Sequence, residues 1–358
     1  MAGIDRYLGI MLEKGASDLH LSSGRPPLLR LHGSLVPVAG EPDLKPEQVR
    51  QLVDEIVPAH MRAEADGVPP DLDFAYQLAA RGRFRVNSFH QQRGGGAVLR
   101  VIPTKIPSMA DLGLPPSLER FARLKHGLVL VTGPTGSGKS TTLAAIVNQI
   151  NLERPAHILT IEDPIEFVHE NKRALVTQRE IGPHAASFGG ALRVAIRQDP
   201  DVILVGEMRD LETISQALTA AETGALVFGT LHTNSAAKTV DRMIDVFPHA
   251  EQEMARALLA NCLKGILSQQ LLRTADGRGR VCALEVAVCT FGVANLIREG
   301  KTFQIASALQ AGKSEGMQTL EQALADLVEK GKITKEAAWA AAINKDYIAT
   351  LLGVPAEQ

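Results

Sequence analysis

The chain has 358 residues, 45% of them hydrophobic, with 38 Lys+Arg against 40 Asp+Glu and a formal net charge of −2. That length exceeds what one hydrophobic core usually serves, so two domains are expected. The near-neutral balance and a pI near 6.6 exclude a chain-wide attraction to nucleic acid or to an anionic membrane. No charged leader precedes an apolar core and no apolar run nears the ~18 residues of a membrane span, so a cytoplasmic location is expected.

In the first hundred residues, Val49, Leu52, Val53 and Ile56 recur at helical spacing and predict a helix over 46–57, stopped by Pro58. Short strand patterns surround it. Residues 28–31 and 34–38 flank His32-Gly33, while 84–89 and 97–101 flank an expected loop at Gly94-Gly95-Gly96. The expected result is a small α+β domain, 1–101, built mainly on an antiparallel sheet. Residues 102–117 carry Pro103, Pro107, Pro115 and Pro116 and read as an interdomain linker.

Residues 118–358 read as a second, α/β domain. Apolar runs at 128–131, 158–161, 202–205 and 226–231 alternate with helical patterns, which predicts a parallel sheet covered by helices on both faces. A helix over 211–223 ends at Gly224, and from about Met254 onward an almost entirely helical pattern is expected. Cys262, Cys282 and Cys289 form no Cys-x-x-Cys pair, which argues against both a disulfide framework and a zinc ribbon.

The apolar run at 128–131 leads into Gly133-Pro134-Thr135-Gly136-Ser137-Gly138-Lys139-Ser140-Thr141, which opens a helical pattern. Strand, glycine loop and helix in that order make a phosphate cradle: backbone N–H groups turn inward, Lys139 reaches the β/γ oxygens of a nucleoside triphosphate such as ATP, and the Ser140 hydroxyl can ligate Mg²⁺. Thr160-Ile161-Glu162-Asp163-Pro164-Ile165-Glu166 ends the next strand and offers Glu162 as general base, with Glu166 as the other candidate and an ordinary Asp-Pro turn as the plain reading. Asp201 to Glu207 is an apolar strand ending in an acid; Glu207 can hold Mg²⁺ through water or can cap the helix that follows. His232, at the end of 226–231, can sense the γ-phosphate or serve structurally. Arg81, Arg83, Arg85, Arg93 and Arg100, with Phe84 and Phe89 interleaved, admit three readings: a nucleic-acid patch, a solvated hairpin face, or arginine fingers.

Taken together, residues 133–140, 160–166, 205–210 and 229–234 resemble the secretion-type hexameric ATPases, and most closely the type IV pilus retraction ATPases of the PilT type. The resemblance runs from Ser17-Asp18-Leu19-His20-Leu21 to Gly316-Met317-Gln318-Thr319-Leu320, nearly the whole chain. It implies a PAS-like N-terminal domain, a RecA-like P-loop ATPase domain with a helical C-terminal part, and ATP and Mg²⁺ as ligands. It further implies a homohexamer that powers pilus retraction and twitching motility at the cytoplasmic face of the inner membrane. The implied partners are the inner-membrane platform protein and the pilus base, through which alone the ring meets the membrane; no nucleic acid is expected.

Residue by residue, the family pattern implies catalytic roles for Glu162, Glu207 and His232, finger roles for Arg85 and Arg100, and an interface role for Arg242. The missing Cys-x-x-Cys pairs favour the retraction branch. Two departures stand out: Arg197-Gln198-Asp199-Pro200 replaces the usual Arg-Glu-Asp-Pro, and Ala294 replaces the first arginine of the family's C-terminal motif. The second raises the alternative of an accessory paralogue or a nucleotide-dependent regulatory module. Around it, Asn295 to Glu299 are expected to form a short helical stretch with Leu296 and Ile297 packed and Arg298 and Glu299 outward, suited to docking and to coupling or simply a plain surface helix.

Overall fold

The computed structural model describes residues 3–31, 33–61, 71–79, 81–102 and 105–355. His32 and Pro103, named above, lie outside the described residues. The chain divides into two compact units, Met1–Lys105 with Pro164–Val168, and Ile106–Asp163 with His169–Gln358.

In the first unit, α1 (Ile4–Glu13) precedes β1 (Asp18–Ser22), β2 (Leu28–Leu31) and β3 (Ser34–Pro37). Then come α2 (Pro46–Asp54), β4 (Leu72–Leu78), β5 (Gly82–Gln91) and β6 (Gly94–Ile102). The six strands form one antiparallel sheet in the order β3-β2-β1-β6-β5-β4. Alternation along β5 sends Phe84 and Val86 into a core shared with Ile4, Leu8 and Val49 of the helices, and turns Arg85 to the opposite face. The expected glycine loop at 94–96 is instead the first part of β6, with the turn at Gln92 and Arg93. Packing explains the difference. Gly96 pairs with Phe89, and a Cβ there would lie 2.6 Å from the Phe89 ring, so the glycine makes room for a cross-strand aromatic.

The second unit contains α3 (Glu119–Ala122), β7 (Gly127–Thr132), α4 (Lys139–Glu153), β8 (His157–Glu162), β9 (Leu175–Glu180), α5 (Phe188–Ala195), β10 (Val202–Val205) and α6 (Leu211–Glu222). It continues through β11 (Leu226–Leu231), α7 (Ala236–Asp245), α8 (Gln252–Cys262), β12 (Leu263–Arg273) and β13 (Arg280–Val288). Four further helices follow α9 (Phe291–Arg298): α10 (Ile305–Ala311), α11 (Leu320–Glu329), α12 (Lys335–Ala341) and α13 (Lys345–Leu352). The sheet order is β13-β12-β7-β11-β10-β8-β9, parallel except for the β13 edge. The four apolar runs are its four central parallel strands after β12, and every residue of β7, β10 and β11 is buried. Met109 and Leu114, from the proline-rich stretch, are buried in this unit's core.

The helical expectation beyond Met254 is wrong for 263–288. No glycine or proline separates α8 from β12: Cys262 ends the helix and Leu263 is already extended, at φ −63° and ψ 131°. Leu258, Leu259, Cys262 and Leu263 continue a helical spacing in sequence, but β12 is extended because it pairs with β7, more than a hundred residues upstream. Gly265 fits that role, since a Cβ there would lie 2.3 Å from the Phe121 ring. β9 also escaped the sequence reading, being a polar edge strand with Leu175 exposed. A small separate core of Leu320, Leu324, Ile333, Ala338 and Ile348 packs the last helices on Leu272 and Ala283 of the hairpin.

Candidate active site

Parallel strands end their chains at one edge of the sheet, and this edge collects the site. β7 runs into the glycine loop, β8 ends at Glu162, β10 leads to Glu207 and β11 to His232. Hydrogen bonds tie the strand ends together: Gly206 N donates to Ile161 O at 2.7 Å, Met208 N to Thr230 O at 3.0 Å, and Thr230 Oγ1 to Gly206 O at 2.5 Å.

The loop adopts the backbone that only glycine takes cheaply, with φ of +145° at Gly133 and +88° at Gly138, the residue capping α4. A Cβ on Gly133 would lie 2.3 Å from the carbonyl oxygen of Gln269 in β12, so the close approach of that strand also demands glycine. The Gln269 side chain donates to Ser137 O at 2.5 Å. Lys139 is folded back, its ammonium donating to Gly133 O at 2.9 Å and Pro134 O at 3.1 Å, where a phosphate oxygen would compete for it. Ser137 Oγ is buried without a hydrogen-bond partner among the described residues, a polar atom left for a loop ligand. These features fit a phosphate chain on the N-terminus of α4.

Glu162 is half-buried, and its Oε1 accepts from Thr160 Oγ1 at 2.7 Å and Gln178 Nε2 at 3.2 Å. Two neutral donors thereby fix the carboxylate's orientation. Glu166 belongs to the Pro164–Val168 segment, which groups with the first unit. Glu207 does not cap the next helix; Asp210 does, accepting from Thr213 N at 2.8 Å. Instead Glu207 Oε1 meets His232 Nε2 at 2.9 Å and also accepts from Arg209 Nε. Oxygen donors from Ser140, in the first turn of α4, and from Glu207 at the same sheet edge suit a hard cation such as Mg²⁺.

Arg85 and Arg100 stand opposite each other on β5 and β6, on the solvent face of the first unit's sheet. Like charges in register repel. Each has its own carboxylate: Asp73 takes Arg85 at 3.2 Å (Nε) and 2.7 Å (Nη2), and buried Asp18 takes Arg100 Nε at 2.7 Å. Burial alone would raise the Asp18 carboxyl, but the Ser17 hydroxyl and Arg100 together hold it below its ordinary value. Arg242 lies on the exposed side of α7, opposite the buried Val240, Met243 and Ile244. Burial pushes the thiols of Cys262 and Cys282 up to about 12 and that of Cys289 to about 11, which disfavours their thiolates.

Residues 2–341 match the family model described as type II/IV secretion system protein. The chain belongs to that family. A curated relative, the type IV pilus retraction ATPase PilT of Pseudomonas aeruginosa, is 51% identical over 333 residues, 93% of this chain and 96% of that protein. The type IV pilus ATPase PilU of the same bacterium is 40% identical over 353 residues, 99% of this chain and 92% of that protein. The crystal structure of the pilus retraction motor PilT with bound ADP covers 97% of this chain and 99% of its own, at 44% identity and a TM-score of 0.90. The family fold is thus the mixed α/β arrangement described above, and its nucleotide chemistry is that of ATPases. Gln178 and Gln269 touch the site but were not singled out from sequence, because sheet order alone brings them to Glu162 and Ser137, whereas Thr160 and Arg209 each lie two residues from the carboxylate they contact.

Proposed function

We propose that this chain is a motor ATPase that hydrolyses ATP to power type IV pilus retraction, and with it twitching motility. The observation that carries the reading is the single sheet edge where the glycine loop, Glu162 and the Glu207–His232 pair converge. On this reading the first unit is a PAS-like domain, and the second a RecA-like ATPase domain with a helical C-terminal part. Identity of 51% with a retraction ATPase, against 40% with PilU, supports the motor over the accessory paralogue.

In the reaction, the Lys139 ammonium leaves the Gly133 and Pro134 carbonyls for the β/γ oxygens and offsets the charge of the leaving diphosphate. Glu162, oriented by Thr160 and Gln178, takes the proton of the attacking water. Glu207 and His232, already paired, lie where the γ-phosphate departs, so its presence or loss alters their contact. Ser140 and Glu207 would hold Mg²⁺, which neutralises β/γ charge when bound.

Protomers close into a homohexamer on this reading. Arg85 and Arg100 leave Asp73 and Asp18 to reach nucleotide as fingers, and Arg242 lies near the protomer interface. The ring works at the cytoplasmic face of the inner membrane on the platform protein and pilus base. Purified Lys139→Ala ring tests the chemistry: ATP turnover falls to background while the fold and assembly persist. Turnover comparable with wild type would remove the loop from the reaction and the reading with it.

A further inference from the structure

Glu285 stands in the middle of β13. It is 8% exposed, and among the described residues no cation is paired with it. Its Oε1 accepts a hydrogen bond from Ala236 N at 2.6 Å. Ala236 is the first residue of α7, so this N–H is one of the donors a helix start leaves unpaired, and an acidic group there also suits the helix dipole. Ser235, the cap of α7, takes the N–H of Lys238 and not this one.

Position across the sheet gives the contact its meaning. In register, Glu285 faces Ser268 of β12, and Ser268 faces Thr132 of β7, the residue before Gly133. Ser268 Oγ and Thr132 Oγ1 are 2.9 Å apart, so a row of polar side chains crosses three strands from the root of the glycine loop to the root of α7. His232 lies between two anchors. On one side Leu231 is fixed in β11 beside Thr132; on the other, Thr233 Oγ1 bonds Thr239 Oγ1 at 2.7 Å within α7, which Glu285 pins.

A packing role alone does not account for a carboxylate here. Burial pushes its carboxyl up to about 7, against the lowering effect of the Ala236 N–H, and the nearby Glu321 carboxylate adds to the rise. An apolar side chain of equal volume would avoid that desolvation, at the cost of an unpaired buried N–H on Ala236.

We propose that Glu285 is a positioning residue for hydrolysis: its buried carboxylate fixes the start of α7 relative to the strand entering the phosphate loop, and so holds His232 against Glu207. The inference rests on the role proposed above for His232 in hydrolysis.

The test compares Glu285→Met, Glu285→Asp and Glu285→Gln in the assembled full-length protein, with His232→Ala measured alongside. Met matches the volume but accepts no hydrogen bond, and is expected to lower kcat about tenfold or more while KM for ATP stays within about twofold, because the loop that binds nucleotide is untouched. Gln keeps an acceptor oxygen at the same reach and is expected to recover kcat to within about threefold of wild type. Should the Met variant fail to fold, Asp reads the same distance: it keeps the carboxyl group but withdraws the oxygen by one methylene, and its kcat should fall likewise. Wild-type kcat in folded Met or Asp rings, or a Gln variant as slow as Met, overturns the proposal. Wild-type turnover in His232→Ala would overturn the reading of His232 itself, a result separable from the other two.

Discussion

At the scale of single residues, the site depends on carboxylates held by specific donors. Glu162 is oriented by Thr160 and Gln178, whereas Glu207 is engaged by His232 and Arg209. Different roles are accordingly proposed for the two acids. Glu162→Gln keeps the size and the contacts of the side chain but cannot take a proton. Nucleotide binding, measured by fluorescent ADP titration, should persist while turnover falls about 10²–10⁴-fold. Retained turnover would move the base role to another carboxylate. The places of the glycine loop and the three strand-end residues were legible in sequence because the pattern is local: an apolar strand followed at once by a glycine run, an acid or a histidine. Gln269 and Glu285 were not, since their partners Ser137 and Ala236 lie 132 and 49 residues away.

At the scale of elements, α9 shows the packing expected from sequence, with Leu296 and Ile297 against the core and Arg298 and Glu299 exposed. Asn295 to Arg298 are helical, with Glu299 as the C-cap; Ile297 is fully buried and Leu296 packs against the main core. Ala294, the residue that departs from the family pattern, is only 7% exposed. Val293, Ala294 and Ile297 are thus committed to the fold, while Phe291 at the start of α9 is 80% exposed and Arg298 donates to Asn261 at 2.9 Å and Asn295 at 2.8 Å on the outer side. Ile297→Ala should destabilise the second unit by about 2–5 kcal/mol, measured by urea unfolding, rather than uncouple a folded motor. A change below about 0.5 kcal/mol would contradict the burial. For the same reason Ala294→Arg places a guanidinium against the core and should lower stability. β12 shows why this part of the chain misled: its residues follow α8 without a breaker, and only pairing with β7 decides for strand.

At the scale of the whole molecule, the two units divide the proposed labour. The second unit carries the loop, the base and the Glu207–His232 pair, while Arg85 and Arg100 belong to the first and rest on Asp73 and Asp18. If those arginines act on a neighbour's nucleotide, rings mixed from Lys139→Ala and Arg85→Ala protomers contain some interfaces with an intact loop and an intact finger. Such rings should recover measurable ATP turnover that neither parent has. No recovery in rings shown to be mixed would mean that Arg85 does not act across protomers.

The central claim, ATP-driven pilus retraction, is tested most directly in a strain deleted for the gene, by counting fluorescently labelled pili and their retraction events. The account predicts cells with more pili, no retraction and no surface motility, restored by the wild-type gene and not by Lys139→Ala. Bald cells, or pili that retract normally without the protein, would contradict it.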